Sequence, residues 1–170
     1  MASLMEELLN VMEQENEGYK KLLVFSEAKK EAVIKAQLAD LEAITANEQE
    51  TADVLKNLEN KRTRILKDMS VVMGKDSEML TVTQIIELLE KQPAEQEKLR
   101  VARDILVETA QKMHVANEQN ENLIRQALEM VEYDLTLVKS LKQAPETANY
   151  GRNAYSTGDL LGSSGFDAKQ

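Results

Sequence analysis

Residues 99–141 read LRVARDILVETAQKMHVANEQNENLIRQALEMVEYDLTLVKSL. Large apolar side chains recur through this stretch at the spacing of an α-helix, which has 3.6 residues per turn. They begin at Leu99 and Leu106 and continue to Leu135 and Val138. The stretch contains neither Gly nor Pro to interrupt it, so the spacing predicts one long helix.

Two more long helices are predicted before this one. The apolar series that starts at Leu4 predicts a first helix over residues 3–36. A second series starts at Leu41, and Asp40 is expected to cap the helix that carries it. Gly74 is expected to end that helix, because glycine readily adopts the positive φ of a helix C-terminus.

A short helix is predicted between the second and the third long helices. Either Thr81 or Thr83 can cap it, and its apolar residues begin at Ile85. Pro93 either halts this short helix or begins the last long helix at its first turn.

The predicted fold class is all-α, an elongated antiparallel helical bundle of three long helices plus a short helix. Helices joined by short connections bury their apolar faces against one another, and we expect residues 1–142 to form this bundle. Four of the six glycines lie in residues 151–165, among Ser, Thr and Asn, and such a mixture cannot build a core. Residues 143–170 are therefore expected to be a flexible C-terminal tail.

The charge balance narrows the choice of partners. Thirty acidic and twenty-one basic residues give a net charge of −9, which repels nucleic acid and anionic lipid head groups. Cysteine is absent, which fits a reducing cytoplasm. The chain shows no signal peptide and no run of roughly 18 apolar residues, so neither secretion nor membrane insertion is expected.

The sequence offers no catalytic residue, metal site or cofactor site. Di-metal carboxylate bundles need a Glu-x-x-His pair from each of two helices. His114 is the single histidine, and Gln111 stands where the glutamate of such a pair would be. Neither a Gly-rich phosphate loop nor a nucleophile elbow occurs. A metal-dependent bundle enzyme is therefore the most distant alternative.

Two amides interrupt the apolar face of the last long helix. Asn117 and Asn120 share the three-four register of Met113 and Ile124, so both are expected to point toward a neighbouring helix. A buried amide needs a hydrogen-bond partner, and it fixes the register of the helices that supply one. The pair forms either an internal polar layer of the bundle or part of a binding surface.

The apolar stripe that follows is wider than a coiled-coil seam requires. If part of it has no partner inside the bundle, it is a docking site for an amphipathic helix of another protein; otherwise it is core. Its residues are Leu123, Ile124, Ala127, Leu128, Val131, Leu135, Val138 and Leu141.

The tail carries three of the six aromatic residues of the chain. Spaced aromatic and leucine side chains on a flexible segment are typical of a short motif that becomes ordered on binding. We expect the tail either to dock on a groove of its own or a neighbouring molecule, which would allow self-association, or to be an inert end. The candidate docking residues are Tyr150, Tyr155, Leu160, Leu161 and Phe166.

Three groups of residues occur in the order and spacing of a known family. They are Tyr19, Leu22 and Leu23; then Leu41, Ile44, Glu48-Gln49, Leu55, Leu58-Glu59, Arg62 and Leu66; and Asn117-x-x-Asn120-x-x-Leu123-Ile124 ahead of Leu128 and Val131. Over residues 4–141 the chain therefore resembles the FlgN family of flagellar type III export chaperones. The tail around Tyr150 and Phe166 is also similar to that of some members.

The resemblance implies a cytoplasmic chaperone that uses no cofactor or nucleotide. Such chaperones bind the C-terminal helical segments of the hook-associated proteins FlgK and FlgL, prevent their premature assembly and deliver them to the export gate. The C-terminal region holds the client, which corresponds here to the stripe from Leu123 to Leu141. A C-terminal tyrosine helps docking at the gate; Tyr150 is the candidate, and Tyr133 and Tyr155 compete with it.

A structural coiled-coil scaffold or adaptor is the main alternative function. A scaffold would need no exposed apolar surface, because it would bury the stripe internally or in a symmetric dimer. Exposure of the stripe once the bundle has formed therefore discriminates between the two functions.

Overall fold

The computed structural model describes residues 2–75 and 79–143, and within these ranges it contains four α-helices and no strand. In chain order they are α1 (Ala2–Ile34), α2 (Leu38–Val72), α3 (Val82–Leu88) and α4 (Pro93–Gln143). The predicted all-α class, with three long helices and a short helix before the last, is confirmed.

The chain divides into two compact units. The first, Met1–Ala127, contains α1, α2, α3 and the N-terminal part of α4. The second, Leu128–Gln170, is described from residue 128 to residue 143, where it consists of the C-terminal part of α4. The boundary that the sequence placed between residues 142 and 143 stays a prediction, because it lies at the edge of the described residues.

In the first unit, α2 runs antiparallel to α1. Gly18 of α1 contacts Leu55 of α2, and further along α1 the side chain of Lys29 pairs with Glu48, so rising residue numbers on α1 meet falling numbers on α2. The two helices approach closely at the first of these contacts: a Cβ added to Gly18 would lie 2.6 Å from Cδ2 of Leu55. A residue without a side chain therefore suits this crossing.

In the same unit, α4 runs parallel to α1. Leu9 of α1 and Val101 of α4 line one groove, and further along both helices Asn120 contacts Ser26. Because α2 is antiparallel to α1, it is antiparallel to α4 as well. The three long helices thus alternate in direction along the chain, as in the predicted antiparallel bundle.

The apolar core of the first unit is concentrated around α3. This short helix packs against the N-terminal half of α1, the C-terminal half of α2 and the start of α4. Removal of apolar surface from water is the main force that holds these elements together. The buried core residues are Met5, Leu8, Val11, Met12, Ile65, Met69, Leu80, Val82, Ile85, Ile86, Leu89, Leu99 and Leu106.

α1 and α2 end in the same kind of hydrogen-bonded turn. After α1, the N–H of Ala36 donates to the carbonyl of Val33 at 3.2 Å, and the N–H of Gln37 donates to the carbonyl of Ala32 at 2.9 Å. This pair of bonds is the Schellman motif, which requires a left-handed residue; Ala36 adopts it with φ of +53°. After α2, Gly74 takes the same role with φ of +72°, at the predicted end of that helix.

The predicted N-terminal cap of α2 was wrong. Gln37 occupies the cap position and its side chain makes no capping hydrogen bond, whereas Asp40 lies within the first turn. The turn contains no glycine, so residue types alone did not show that the chain reverses at Ala36. In the first turn, the carboxylate of Asp40 still interacts favourably with the positive end of the helix dipole.

Thr81, one of the two predicted caps, begins α3. Its hydroxyl accepts a hydrogen bond from the N–H of Gln84 at 3.3 Å, and Oε1 of Gln84 accepts one from the N–H of Thr81 at 2.8 Å. These reciprocal bonds form a capping box. Pro93 is the first residue of α4, and Gln96 in the first turn donates to the carbonyl of Ile86 at 2.8 Å, which connects α4 to α3.

Candidate functional site

The predicted apolar stripe on α4 has a half-buried part and an exposed part. Leu123, Ile124 and Ala127 are half-buried residues of the first unit. In the second unit, every residue from 128 to 143 is exposed. The five stripe residues in this range have exposed fractions between 48% and 78%, and they are Leu128, Val131, Leu135, Val138 and Leu141.

Three further apolar side chains of this segment are exposed, although the predicted stripe does not include them. Met130, Tyr133 and Leu137 have exposed fractions of 69%, 64% and 45%. They also recur at three- and four-residue intervals, so they share a helix face of their own. A helical wheel over residues 128–141 would have shown this face, whereas tracing one apolar series did not.

Such a segment is unusual for a helix in water. A helix that is apolar over most of its circumference is normally buried, and large exposed apolar patches mark surfaces that bind other molecules. In the described part of the second unit, these side chains lie on a single helix from residue 128 to residue 143. This segment is therefore the candidate binding surface.

The two predicted amides, Asn117 and Asn120, differ in burial. Asn120 is buried, and its Nδ2 donates hydrogen bonds to the carbonyl oxygen and to the hydroxyl of Ser26 on α1. Asn117 is exposed, and it lines an open cavity between α1, α2 and α4. Both amides thus face neighbouring helices, but Asn120 alone of the pair is buried and bonded to one, whereas Asn117 borders open space.

A cavity of about 440 Å³ opens between α1, α2 and α4 in the first unit. The three groups of residues that carry the family resemblance all reach it. Tyr19 and Leu22 line it from α1, Glu48 and Gln49 from α2, and Asn117 from α4. Residues that are far apart in the sequence therefore meet at one place in the fold.

His114 borders this cavity, and its nearest charged partner among the described residues is a single carboxylate. Its Nε2 lies 3.5 Å from Oε1 of Glu118, one turn further along α4, and both side chains are exposed. Exposed pairs of this kind contribute little to stability. Within residues 2–75 and 79–143, no group of three or more His, Asp or Glu side chains is placed to hold a metal ion.

Glu15 is a buried carboxylate in the first unit, with an exposed fraction of 3%. Its Oε1 lies 3.1 Å from Nε of Arg62, but the N–H is not directed at the oxygen well enough for a hydrogen bond, so the contact is an ion pair. Burial raises the pKa of Glu15; the charge of Arg62 opposes this increase, and the charge of Glu59 adds to it. Burial likewise raises the pKa of Tyr19.

The docking residues proposed for the tail lie outside the described residues, so their role stays a prediction. They are Tyr150, Tyr155, Leu160, Leu161 and Phe166. Tyr133, which competes with Tyr150 for the role of gate-docking tyrosine, is described and exposed.

The fold and the exposed segment define a class of protein: an all-α helical protein whose last helix carries an exposed apolar surface. No helix among the described residues is long and apolar enough to cross a membrane. A family model described as FlgN protein matches residues 1–157. This match covers most of the chain, so the chain belongs to the FlgN family of flagellar export chaperones, and the resemblance is confirmed. Comparison with curated proteins and with solved structures finds no match.

Proposed function

We propose that this chain is a cytoplasmic export chaperone, not an enzyme, that binds the C-terminal helical segments of the hook-associated proteins FlgK and FlgL. The observation that supports this proposal most directly is the exposed apolar surface of α4 between Leu128 and Leu141. Membership of the FlgN family supports flagellar export as the process that the chaperone serves.

Burial of this surface is the expected source of affinity. Eight large apolar side chains are exposed between residues 128 and 141, a length of about 20 Å at 1.5 Å per residue. Each Å² of apolar surface removed from water contributes about 25 cal/mol. The client buries its own apolar helix face in the same contact, so the complex also prevents that face from associating prematurely.

The neighbouring residues of the predicted site contribute differently. Leu123, Ile124 and Ala127 are half-buried, so they can extend the contact with a client only in part. Asn120 is bonded to Ser26, which supports a role in fixing helix register. Asn117 is exposed and can hydrogen-bond a partner from the rim of the cavity.

Delivery of the client to the export gate is assigned to the tail. This assignment rests on the sequence pattern: Tyr150 is proposed to contact the gate, and Tyr155, Leu160, Leu161 and Phe166 are proposed as further docking residues. Replacement of Tyr150 by Ala should weaken binding of the full chain to the gate and leave client binding unchanged. Tyr133→Ala should weaken client binding instead, because Tyr133 lies on the proposed client surface.

Calorimetric titration with the C-terminal fragments of the two hook-associated proteins tests the client-binding proposal. Leu128→Asp and Val131→Asp should each raise the Kd by about tenfold or more, because a carboxylate would be buried against an apolar partner. Leu38→Asp and Val24→Asp are matched controls: they make the same changes at residues of the first unit that are 74% and 68% exposed, and they should bind like the wild type.

If the wild-type chain bound neither fragment, the proposal would be contradicted. Dimerisation of the wild-type chain that is lost in Leu128→Asp would instead favour the scaffold, which buries the stripe in a symmetric contact.

A further inference from the structure

The exposed segment of α4 presents two apolar faces. Successive residues of an α-helix are rotated by about 100°, so the helical position of each side chain follows from its number. The first face spans about 80° and consists of Leu128, Val131, Leu135 and Val138. The second face spans another 80° or so and consists of Met130, Tyr133, Leu137 and Leu141.

Together the two faces are too wide for one docked helix. They cover about 220° of the helix circumference, whereas a helix that packs against one neighbour buries a stripe roughly 100° wide. A single partner helix would therefore leave one face in water. The remaining arc is polar, and between residues 128 and 141 it carries Glu129, Glu132, Thr136, Lys139 and Ser140.

Asp134 lies between the two faces. Its helical position falls between those of Val138 and Leu141, and its side chain is exposed. It forms no ion pair with any residue that the structure describes. A partner that covers both faces removes this carboxylate from water, which is unfavourable unless the partner brings a positive charge to it.

Asp134 also argues against a second copy of this chain as the partner. Residues 128–141 are centred on residues 134 and 135. A two-fold pairing centred on the arc that contains Asp134 would bring the two Asp134 carboxylates close together, and a pairing through one apolar face alone would leave the other face in water. Two like charges at a contact that excludes water repel each other, so a different protein with a basic residue fits this surface better.

We propose that two amphipathic helices of the client enclose this segment, one on each face, and that a lysine or arginine where they meet pairs with Asp134. This inference rests on the proposed chaperone function. It adds to that function the number of client helices and the charge that they carry.

Calorimetry on the full chain, with the same hook-associated protein fragments, tests whether both faces bind. Val131→Asp on the first face and Leu137→Asp on the second should each raise the Kd by about tenfold. Asp134→Asn should raise it by roughly the same factor, and high salt should reduce the difference from the wild type. Glu129→Gln removes one negative charge from the polar arc and should leave the Kd unchanged.

Photo-crosslinking then tests whether the two faces hold different helices. A photoreactive residue that replaces Leu135 in the full chain should label one helical segment of the client, and one that replaces Leu137 should label a different segment. Labelling of one and the same client helix from both positions would overturn the proposal.

The outcomes for the two hypotheses are distinct. If Val131→Asp loses the client while Leu137→Asp binds it like the wild type, the two-helix proposal is overturned and the chaperone function stands. If the wild-type chain binds neither fragment, the chaperone function fails and this proposal fails with it.

Discussion

Asn120 of α4 donates two hydrogen bonds to Ser26 of α1, at 2.8 Å to the carbonyl oxygen and at 2.9 Å to the hydroxyl oxygen. Both residues are buried, so the amide is satisfied only when the two helices have this alignment. A shift by one helical turn, about 5.4 Å, would break both bonds. Among the described residues, none that follows Leu106 in α4 belongs to the apolar core. The polar contact of Asn120 therefore aligns α4 with α1 in a part of the helix that the core does not reach.

Replacement of Asn120 by Asp should destabilise the bundle. A carboxylate cannot donate to the carbonyl of Ser26, and its charge would be buried, so we expect the free energy of unfolding to fall by about 2 kcal/mol at neutral pH. Asn117→Asp makes the same change at an exposed position and should alter stability by less than about 0.5 kcal/mol. Urea denaturation of both variants measures the difference, and equal losses would contradict a specific role for Asn120.

Ala36 and Gly74 both adopt a left-handed backbone conformation, so exchanging Ala and Gly should have opposite effects on stability at the two positions. Ala36→Gly should raise the free energy of unfolding by about 1 kcal/mol, because it relieves the cost of an L-residue at φ of +53°. Gly74→Ala should lower it by about the same amount. A Cβ at Gly74 would meet no atom within 4 Å, so backbone conformation alone acts there. A loss of stability in Ala36→Gly would show that the unfolded-state entropy of glycine outweighs the strain.

Arg62→Met should make stability more sensitive to pH. The buried carboxylate of Glu15 would lose its ion-pair partner, so we expect a loss of about 3 kcal/mol at neutral pH. Removal of the positive charge also raises the pKa of Glu15 further. Thermal unfolding as a function of pH measures both effects.

The sign of the pH dependence follows from the raised pKa of Glu15 in the folded chain. Between the ordinary pKa of a glutamate and the raised value, the folded state binds more protons than the unfolded state, so stability falls as pH rises through this window. Below the window Glu15 is protonated in both states, and Arg62→Met should there be close to the wild type. In a Glu15→Gln background the pH-dependent part of the loss should vanish; a loss of the same size at acid and neutral pH would contradict this explanation.

Shortened chains test whether folding depends on the first unit and client binding on the second. A chain that ends at Gln143 should retain client binding, because it keeps the exposed segment of α4. A chain that ends at Ala127 should still unfold cooperatively, since it retains the whole first unit, but it should lose the client. Circular dichroism and calorimetry measure the two properties. Client binding by the shorter chain would place the site in the first unit and contradict the proposed surface.

Local signals accounted for most of the secondary structure. The spacing of apolar residues predicted the long helices, Gly74 predicted the end of α2, and Thr81 was one of two predicted caps for α3. Such signals act over a few residues, so they do not depend on how the helices pack. The turn at Ala36 was located only approximately because alanine is not a residue type that marks a left-handed conformation.

The sequence by itself determined the helix order, the family motifs and the apolar character of the last helix, because each of these depends on residue spacing within one segment. Only the tertiary structure decided which apolar and polar side chains find partners. Asn120 is buried and Asn117 is exposed although they share one helix, because burial depends on how closely the neighbouring helices approach at each position. For the same reason, the residues from Leu128 to Leu141, which the sequence could not distinguish from core, emerged as an exposed apolar surface.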